Sequence, residues 1–339
     1  MDSSTMKFVR VRAPGRVNLI GEHTDYTGGL CLPMAIDRYT EIVGEESPGY
    51  VELSSDDEEG SAEFSLPISD VGGVEPAWAR YVAAVAAELG SSSGIRGIVS
   101  TTIPVGAGLS SSAALEVAMA LALGMEAPPL EIAQLCQRAE RRATGVPTGI
   151  LDQLSCAAGI AGHALILDCH ALTVTPTPMP DDLDVLVQFI AHRRLVGSEY
   201  TERVADCARA EALIGPLRLA SMSELSNIED PTTRARARHV ITENARVLAF
   251  AEALADGNAR LAGQLMIEGH RSISEDFAVS TPQMDAAVAE WCSRPGVFGA
   301  RMTGGGFGGC VVALADKGAI APTPHTWVVK PSAGAARID

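Results

Sequence analysis

Arg16, Glu22, His23 and Asp25 stand within ten residues of one another in Ala13-Pro-Gly-Arg-Val-Asn-Leu-Ile-Gly-Glu-His-Thr-Asp-Tyr-Thr-Gly-Gly29. Two carboxylates, an imidazole and a guanidinium supply the paired acceptors and donors that a polyhydroxylated ligand requires. A polar turn whose carboxylates satisfy backbone amides accounts for the same residues equally well. A metal pair of His23 and Asp25 gains no support, because no third ligand joins them at helical or strand spacing. A second segment, Pro104-Val-Gly-Ala-Gly-Leu-Ser-Ser-Ser-Ala-Ala-Leu-Glu116, sets glycines and three serines between a predicted strand and a predicted helix. Glycines let backbone amides approach an anion, and a helix N-terminus adds unpaired N–H groups and a positive partial charge. A capping serine explains one hydroxyl and not three in a row. The pattern therefore favours phosphate, with hydroxyls also suited to Mg²⁺.

A third segment, Gly304-Gly-Gly-Phe-Gly-Gly309, matches G-x-G-x-x-G in letters. A dinucleotide site needs a strand before that loop and a helix after it. Here Cys310-Val-Val-Ala-Leu reads as a strand, so the Rossmann reading fails on context. Packing against another backbone or a phosphate stays open. Two further carboxylates look structural on their residues alone. Glu140 stands in a charged stretch with Arg138, Arg141 and Arg142. Asp152 follows Gly149 at a helix start, where the dipole favours a carboxylate.

The elements that must position these groups follow from periodicity and breakers. Residues 7–12 alternate as a strand ending at Pro14-Gly15, residues 29–43 read as strand pieces broken by Pro33, and residues 51–65 read as a hairpin. Helices are predicted over 76–89, 110–125 and 129–143, and strands over 95–103, 163–168 and 184–191. The second half is more helical, over 199–214, 232–256, 258–270 and 281–292, and closes with strands at 300–303, 310–315 and 325–330. Thr, Pro and Asp cluster at 170–182, which places a domain boundary there and predicts domains 1–175 and 176–339.

Composition narrows the function. The formal charge is 26 − 42 = −16, which argues against nucleic-acid binding. No apolar run reaches the ~18–20 residues of a membrane helix. Seven cysteines without CxxC read as reduced thiols of a cytoplasmic protein. Only Lys7, Lys317 and Lys330 occur. None sits in a Walker A loop, in a protein-kinase strand or in a Schiff-base context.

Gly15-Arg-Val-Asn-Leu-Ile-Gly-Glu-His-Thr-Asp-Tyr26 resembles the galactokinase signature without a mismatch. Pro104–Ala114 and Arg301–Gly309 resemble the second and third motifs of the GHMP kinases, in the family's order and spacing. Trp78-Ala-Arg-Tyr-Val82, Gly149-Ile-Leu-Asp-Gln153, Ser198-Glu-Tyr200, His270 to Ser280 and Pro331–Ala335 extend the likeness over nearly the whole chain. The resemblance implies a two-domain α+β GHMP kinase fold with its active site in the inter-domain cleft. It also implies ATP-dependent phosphorylation of a sugar, galactose, at the anomeric hydroxyl.

Carried over residue by residue, the resemblance implies that Asp152 is catalytic, with Arg16 beside it. Glu22, His23, Asp25, Gly149 and Tyr200 match sugar-binding positions. Gly106, Ala107, Gly108, Leu109, Ser110, Ser111 and Ser112 match the phosphate loop. Ser112 and Glu140 match ligands of Mg²⁺, and Trp78 matches an adenine-pocket residue. The implied partners are a small sugar and ATP, with no nucleic acid or membrane and a monomer favoured. Two departures stand out: Ala191-His-Arg-Arg-Leu-Val-Gly197 differs from the family's usual stretch, and Gly269 stands where a serine is common. A family kinase for another sugar or a cyclitol stays open as an alternative. So does a silent sugar and ATP sensor, although a sensor needs no base such as Asp152.

Overall fold

A computed structural model of the chain describes residues 7–192 and 198–338. The first half builds on β1 (Phe8–Asn18), whose alternating Val9, Val11 and Ala13 bury one face. The strand does not end at Pro14-Gly15. Its register shifts between Pro14 and Arg16, so a bulge absorbs the dipeptide and the strand continues. Short β2 (Leu30–Cys31) and long β3 (Pro33–Pro48) follow, two strand pieces that part just before Pro33, as the sequence predicts. The hairpin of β4 (Tyr50–Ser55) and β5 (Ser61–Ser65) forms as predicted.

Next come α1 (Ala79–Leu89), β6 (Ser93–Thr101), α2 (Ser111–Ala122), α3 (Pro129–Thr144) and α4 (Leu151–Ala158). Residues Ala113 to Ala122 of α2 are all buried, because this helix lies against β1 and β3 while α1 and α3 cover it. Then β7 (His163–Asp168) and β8 (Thr173–Pro178) make a three-stranded sheet with β2. The Thr-Pro run that suggested a boundary is β8 itself. It lies at the sheet edge, where proline is tolerated.

The second half contributes β9 (Leu183–Ala191), α5 (Ser198–Ile214), α6 (Pro231–Ala255), α7 (Ala259–Ser272) and α8 (Pro282–Ser293). It ends with β10 (Val297–Thr303), β11 (Gly309–Asp316), β12 (Thr326–Val329) and β13 (Ala336–Arg337). The second sheet runs β10-β11-β9-β12, with α7 and α8 packed on it around Trp291 and Ala300. The first sheet runs β13-β1-β3-β6-β4-β5, so the end of the chain returns to the first half. Before it pairs, the returning tail bonds α4's end: Ala335 N donates to Cys156 O at 3.0 Å and Gly334 N to Gly159 O at 2.7 Å. Among the described residues no helix is long and apolar enough to cross a membrane. None of the seven cysteines is in a disulfide.

Candidate active site

The bulge in β1 sets Arg16 against the second glycine segment, where Arg16 N donates to Leu109 O at 3.1 Å. Its buried guanidinium reaches two ways. Nη1 donates to Gly108 O at 2.7 Å, and Nε donates to Asp152 Oδ1 at 2.8 Å. The other Asp152 oxygen accepts from Ser110 Oγ at 2.6 Å. Three segments far apart in sequence thus meet at one carboxylate. Burial works against the Arg16 charge, but Asp152 outweighs it and holds the guanidinium above its ordinary value.

Ser110 sits at the N-cap position of α2 with φ +62°, and its side chain makes no cap hydrogen bond. The hydroxyl that could have capped the helix is spent on Asp152. The α2 N-terminus, with its dipole, therefore opens into a cavity of about 570 Å³. Gly106, Gly108, Ser111 and Ser112 line that cavity too, while Ala107 and Leu109 turn into the core. Gly106 and Gly108 hold positive φ, as a loop that curls around an anion must. Trp78 lines the same cavity and anchors its indole on Glu59 O at 3.2 Å.

Glu22, His23 and Asp25 form another wall with Gly149 and Tyr200. His23 holds positive φ, bonds the Tyr26 hydroxyl at 3.0 Å, and meets the rings of Tyr200 and Phe277 at 5.6 and 4.7 Å. Burial and then the Asp152 charge push Asp25 up to about 6, against the backbone amides of Tyr26 and Leu151. Gly149 is required by shape, because a Cβ there would lie 1.7 Å from Asp25 Oδ2. Burial pushes Glu22 up to about 7 against the pull of Arg301, whose Nη2 donates to Glu22 Oε2 at 2.6 Å.

Glu140 is buried, contrary to its solvated look in sequence. It lies on the inward face of α3, while Arg138, Arg141 and Arg142 keep largely outside. Its Oε2 accepts from Thr148 Oγ1 at 2.7 Å and Gln153 Nε2 at 3.0 Å. The same Gln153 nitrogen donates to Glu116 Oε2 at 2.9 Å. Burial and then Asp152 raise Glu140, while burial and then Glu140 raise Glu116 well above its ordinary value. This wall is short of positive charge. Among the described residues no cluster of three or more His, Cys, Asp or Glu could hold a metal ion of the protein's own.

Reading the sequence missed Glu116, Gln153, Glu243 and the role of Arg301. Glu116 carried a signal, being the single charge in the apolar run Ala113-Ala-Leu-Glu-Val-Ala-Met-Ala-Leu-Ala122. The third glycine segment resolves as a packed loop. Phe307 N donates to Val279 O at 2.8 Å, Gly304 and Gly305 reach the cavity, and β11 follows where a dinucleotide site needs a helix. Of the departing stretch 191–197, residues 193–197 lie outside the described residues.

Comparison with known proteins agrees with this geometry. Residues 3–45 match the galactokinase galactose-binding signature, residues 78–160 the N terminal domain of GHMP kinases and residues 250–322 their C terminal domain. The galactokinase of Mycobacterium tuberculosis strain H37Rv is 43% identical over 320 residues, covering 89% of this chain and 87% of that protein. That of Thermococcus kodakarensis is 40% identical over 355 residues, covering 96% and 99%. The crystal structure of Lactococcus lactis galactokinase complexed with galactose superposes with a TM-score of 0.88 at 31% identity, covering 98% of this chain and 95% of that one. The fold is the two-domain α+β GHMP kinase fold, with the cavity between its halves.

Proposed function

This chain belongs to the galactokinase family of the GHMP kinases, and from that premise we propose that its cleft transfers the γ-phosphoryl group of ATP to the C1 hydroxyl of galactose, giving galactose 1-phosphate and ADP. The observation that carries this reading is the Asp152 carboxylate, held by Arg16 on one oxygen and by Ser110 of the phosphate loop on the other. Glu22, His23, Asp25, Gly149 and Tyr200 form the sugar wall beside it, and Gly106 to Ser112 form the phosphate wall.

Phosphoryl transfer depends mainly on positioning and on neutralising charge. The uncapped α2 N-terminus and the loop amides hold the phosphates. Trp78 offers an apolar face to the adenine. Glu22, His23 and Asp25 bond sugar hydroxyls and turn C1 toward Asp152, which accepts the proton of the attacking hydroxyl. Arg16 binds Asp152 and Gly108 O together, so the base and the phosphate loop keep a fixed relation. Its charge also offsets the negative charge of the transferring group.

Ser112 and Glu140 are the residues that would hold Mg²⁺, which when bound neutralises phosphate charge. They fit it: a hydroxyl and a carboxylate are hard oxygen donors of the kind Mg²⁺ takes alongside water and phosphate. Burial and Asp152 also leave Glu140 in need of a cation.

The test is a coupled ADP-release assay over galactose, its epimers, 2-amino and N-acetyl derivatives, and cyclitols. Galactose should lead. A competitor favoured by about tenfold or more in kcat/KM would move the assignment to another family kinase.

A further inference from the structure

Glu22 reaches the cavity, yet its carboxylate is held from behind by the other half of the molecule. Arg301, on β10, is wholly buried, and its Nη2 alone donates both to Glu22 Oε2 at 2.6 Å and to Glu243 Oε1 at 2.7 Å. Glu243, on α6, is fixed in turn. Its Oε1 accepts from Gly21 N at 2.9 Å, and its Oε2 accepts from Arg246 Nε at 2.7 Å. Glu22 Oε1 accepts from Gly304 N at 3.3 Å. The glutamate carboxylate and the backbone amide before it are therefore held by groups contributed after residue 240.

Arg301 itself has no other anchor of this kind. Its Nε and Nη1 are buried without hydrogen-bond partners among the described residues. The guanidinium fits because residue 269 is glycine; a Cβ there would lie 2.5 Å from Nη1. A buried arginine with unused donors costs stability, and burying it for stability alone gains little over an apolar residue. One of its two bonds acts instead on a carboxylate that faces the ligand cavity, and the other ties it to Glu243.

We infer that Arg301 is a positioning residue for sugar recognition: with Glu243 as its anchor, it fixes the Glu22 carboxylate at the angle that a sugar hydroxyl meets. The inference rests on the reading of Glu22 as a sugar contact. It makes the C-terminal half a contributor to substrate choice without touching substrate.

A double-mutant cycle on Glu22 and Arg301 tests it. The variants are Glu22→Gln, Arg301→Met, Arg301→Lys and the pair Glu22→Gln/Arg301→Met, each assayed for the KM of galactose and of ATP. Arg301→Met should raise the galactose KM by about ten- to a hundredfold, the worth of one charge-assisted hydrogen bond. The ATP KM should stay within about twofold, since the phosphate wall keeps all its groups. Arg301→Lys keeps a cation between the carboxylates and should restore part of the loss. The double variant should be no worse than Glu22→Gln alone, because a misplaced glutamate and an absent one fail alike.

Losses that multiply in the double variant, or galactose and ATP KM values that rise together, would make Arg301 merely structural and overturn the inference. An Arg301→Met chain that binds galactose normally while Glu22→Gln does not would overturn it as well. A Glu22→Gln chain with unchanged galactose KM would instead remove Glu22 from the sugar site and take the inference with it. If Arg301→Met fails to fold, the cycle run with Arg301→Lys decides: its galactose KM shift must vanish in the Glu22→Gln background, and a shift that persists there overturns the inference.

Discussion

The proposed mechanism concentrates its chemistry at Asp152, whose neighbours define what its removal should do. Asp152→Asn keeps the size and most of the bonding but cannot take a proton. General-base removal costs about 10²–10⁴-fold in rate, and the loss should fall on kcat with ATP binding retained, because Gly106 to Ser112 are untouched. A folded variant keeping more than about a tenth of kcat would end the base assignment. Glu140→Gln should raise the Mg²⁺ concentration for half-maximal rate by about tenfold or more and leave the galactose KM in place. An unmoved Mg²⁺ response would leave Glu140 a structural partner of Thr148 and Gln153. At this scale the sequence displayed residue types well and orientation poorly. Arg16, Glu22, His23 and Asp25 are crowded enough to be noticed. Asp152 and Glu140 became visible only through resemblance, because one carboxylate at a helix start and one in a charged run look ordinary until burial is known. Arg301 and Glu243 were hidden for a different reason: they meet across 58 residues, and nothing local in either segment hints at a partner.

Among the elements, α2 separates structural from functional use of one residue. A serine that caps a helix typically stabilises it by about 1 kcal/mol. Ser110 stands at the cap position but gives its hydroxyl to Asp152. Ser110→Ala should therefore leave the melting temperature nearly unchanged and lower kcat by about tenfold, one charge-assisted bond to the base being lost. Paired thermal melts and steady-state kinetics decide it, and a lower melting temperature with intact kcat would restore the capping role. Long periodic elements were legible: α1, α3, α6 and α7 and strands β7 and β9 stand within a few residues of where the pattern puts them. One breaker misled: Pro14-Gly15 is swallowed by a bulge and the strand runs on. Pro33 does part β2 from β3, and the prolines of β8 sit on a sheet edge where their missing N–H groups cost little. The two-residue β13 carries no periodicity that could announce it.

At the scale of the whole molecule, the buried carboxyls set the response to pH. Unfolded Asp and Glu titrate near ~3.9 and ~4.3, whereas burial lifts Asp25 to about 6 and Glu22 to about 7 in the fold. Between those values the folded chain binds more protons than the unfolded one. The stability from these two groups is therefore complete below about pH 4 and is lost as pH rises through 6 and 7. Glu243 works in the other direction. Arg301 and Arg246 overcome its burial and depress it, so its contribution is present above the unfolded value and fails only in stronger acid. Self-repulsion of a chain carrying −16 adds to the first trend, since mild acid relieves it. Burial holds His239 and His270 at about 4, below the ~6.5 of an unfolded imidazole, so their contribution is lost as pH falls through 6.5 and offsets that of the two carboxyls between pH 7.5 and 5.5. The sugar breaks this balance: galactose, proposed to bond the ionised carboxylates, should raise the melting temperature more at pH 7.5 than at pH 5.5. Calorimetric scans with and without galactose at both values check this, and a rise that is equal or larger at pH 5.5 would refute it. The tail has a consequence of another kind. Ala336 and Arg337 pair with Val11 and Arg12, so the strand that carries Arg16 gains this neighbour only once residues 336 and 337 have been made. Until then, one flank of that sheet is an open edge. A chain cut before residue 336 would keep every residue proposed for catalysis and still leave that edge bare. Its incompleteness would show in shape, independently of any chemistry it performs.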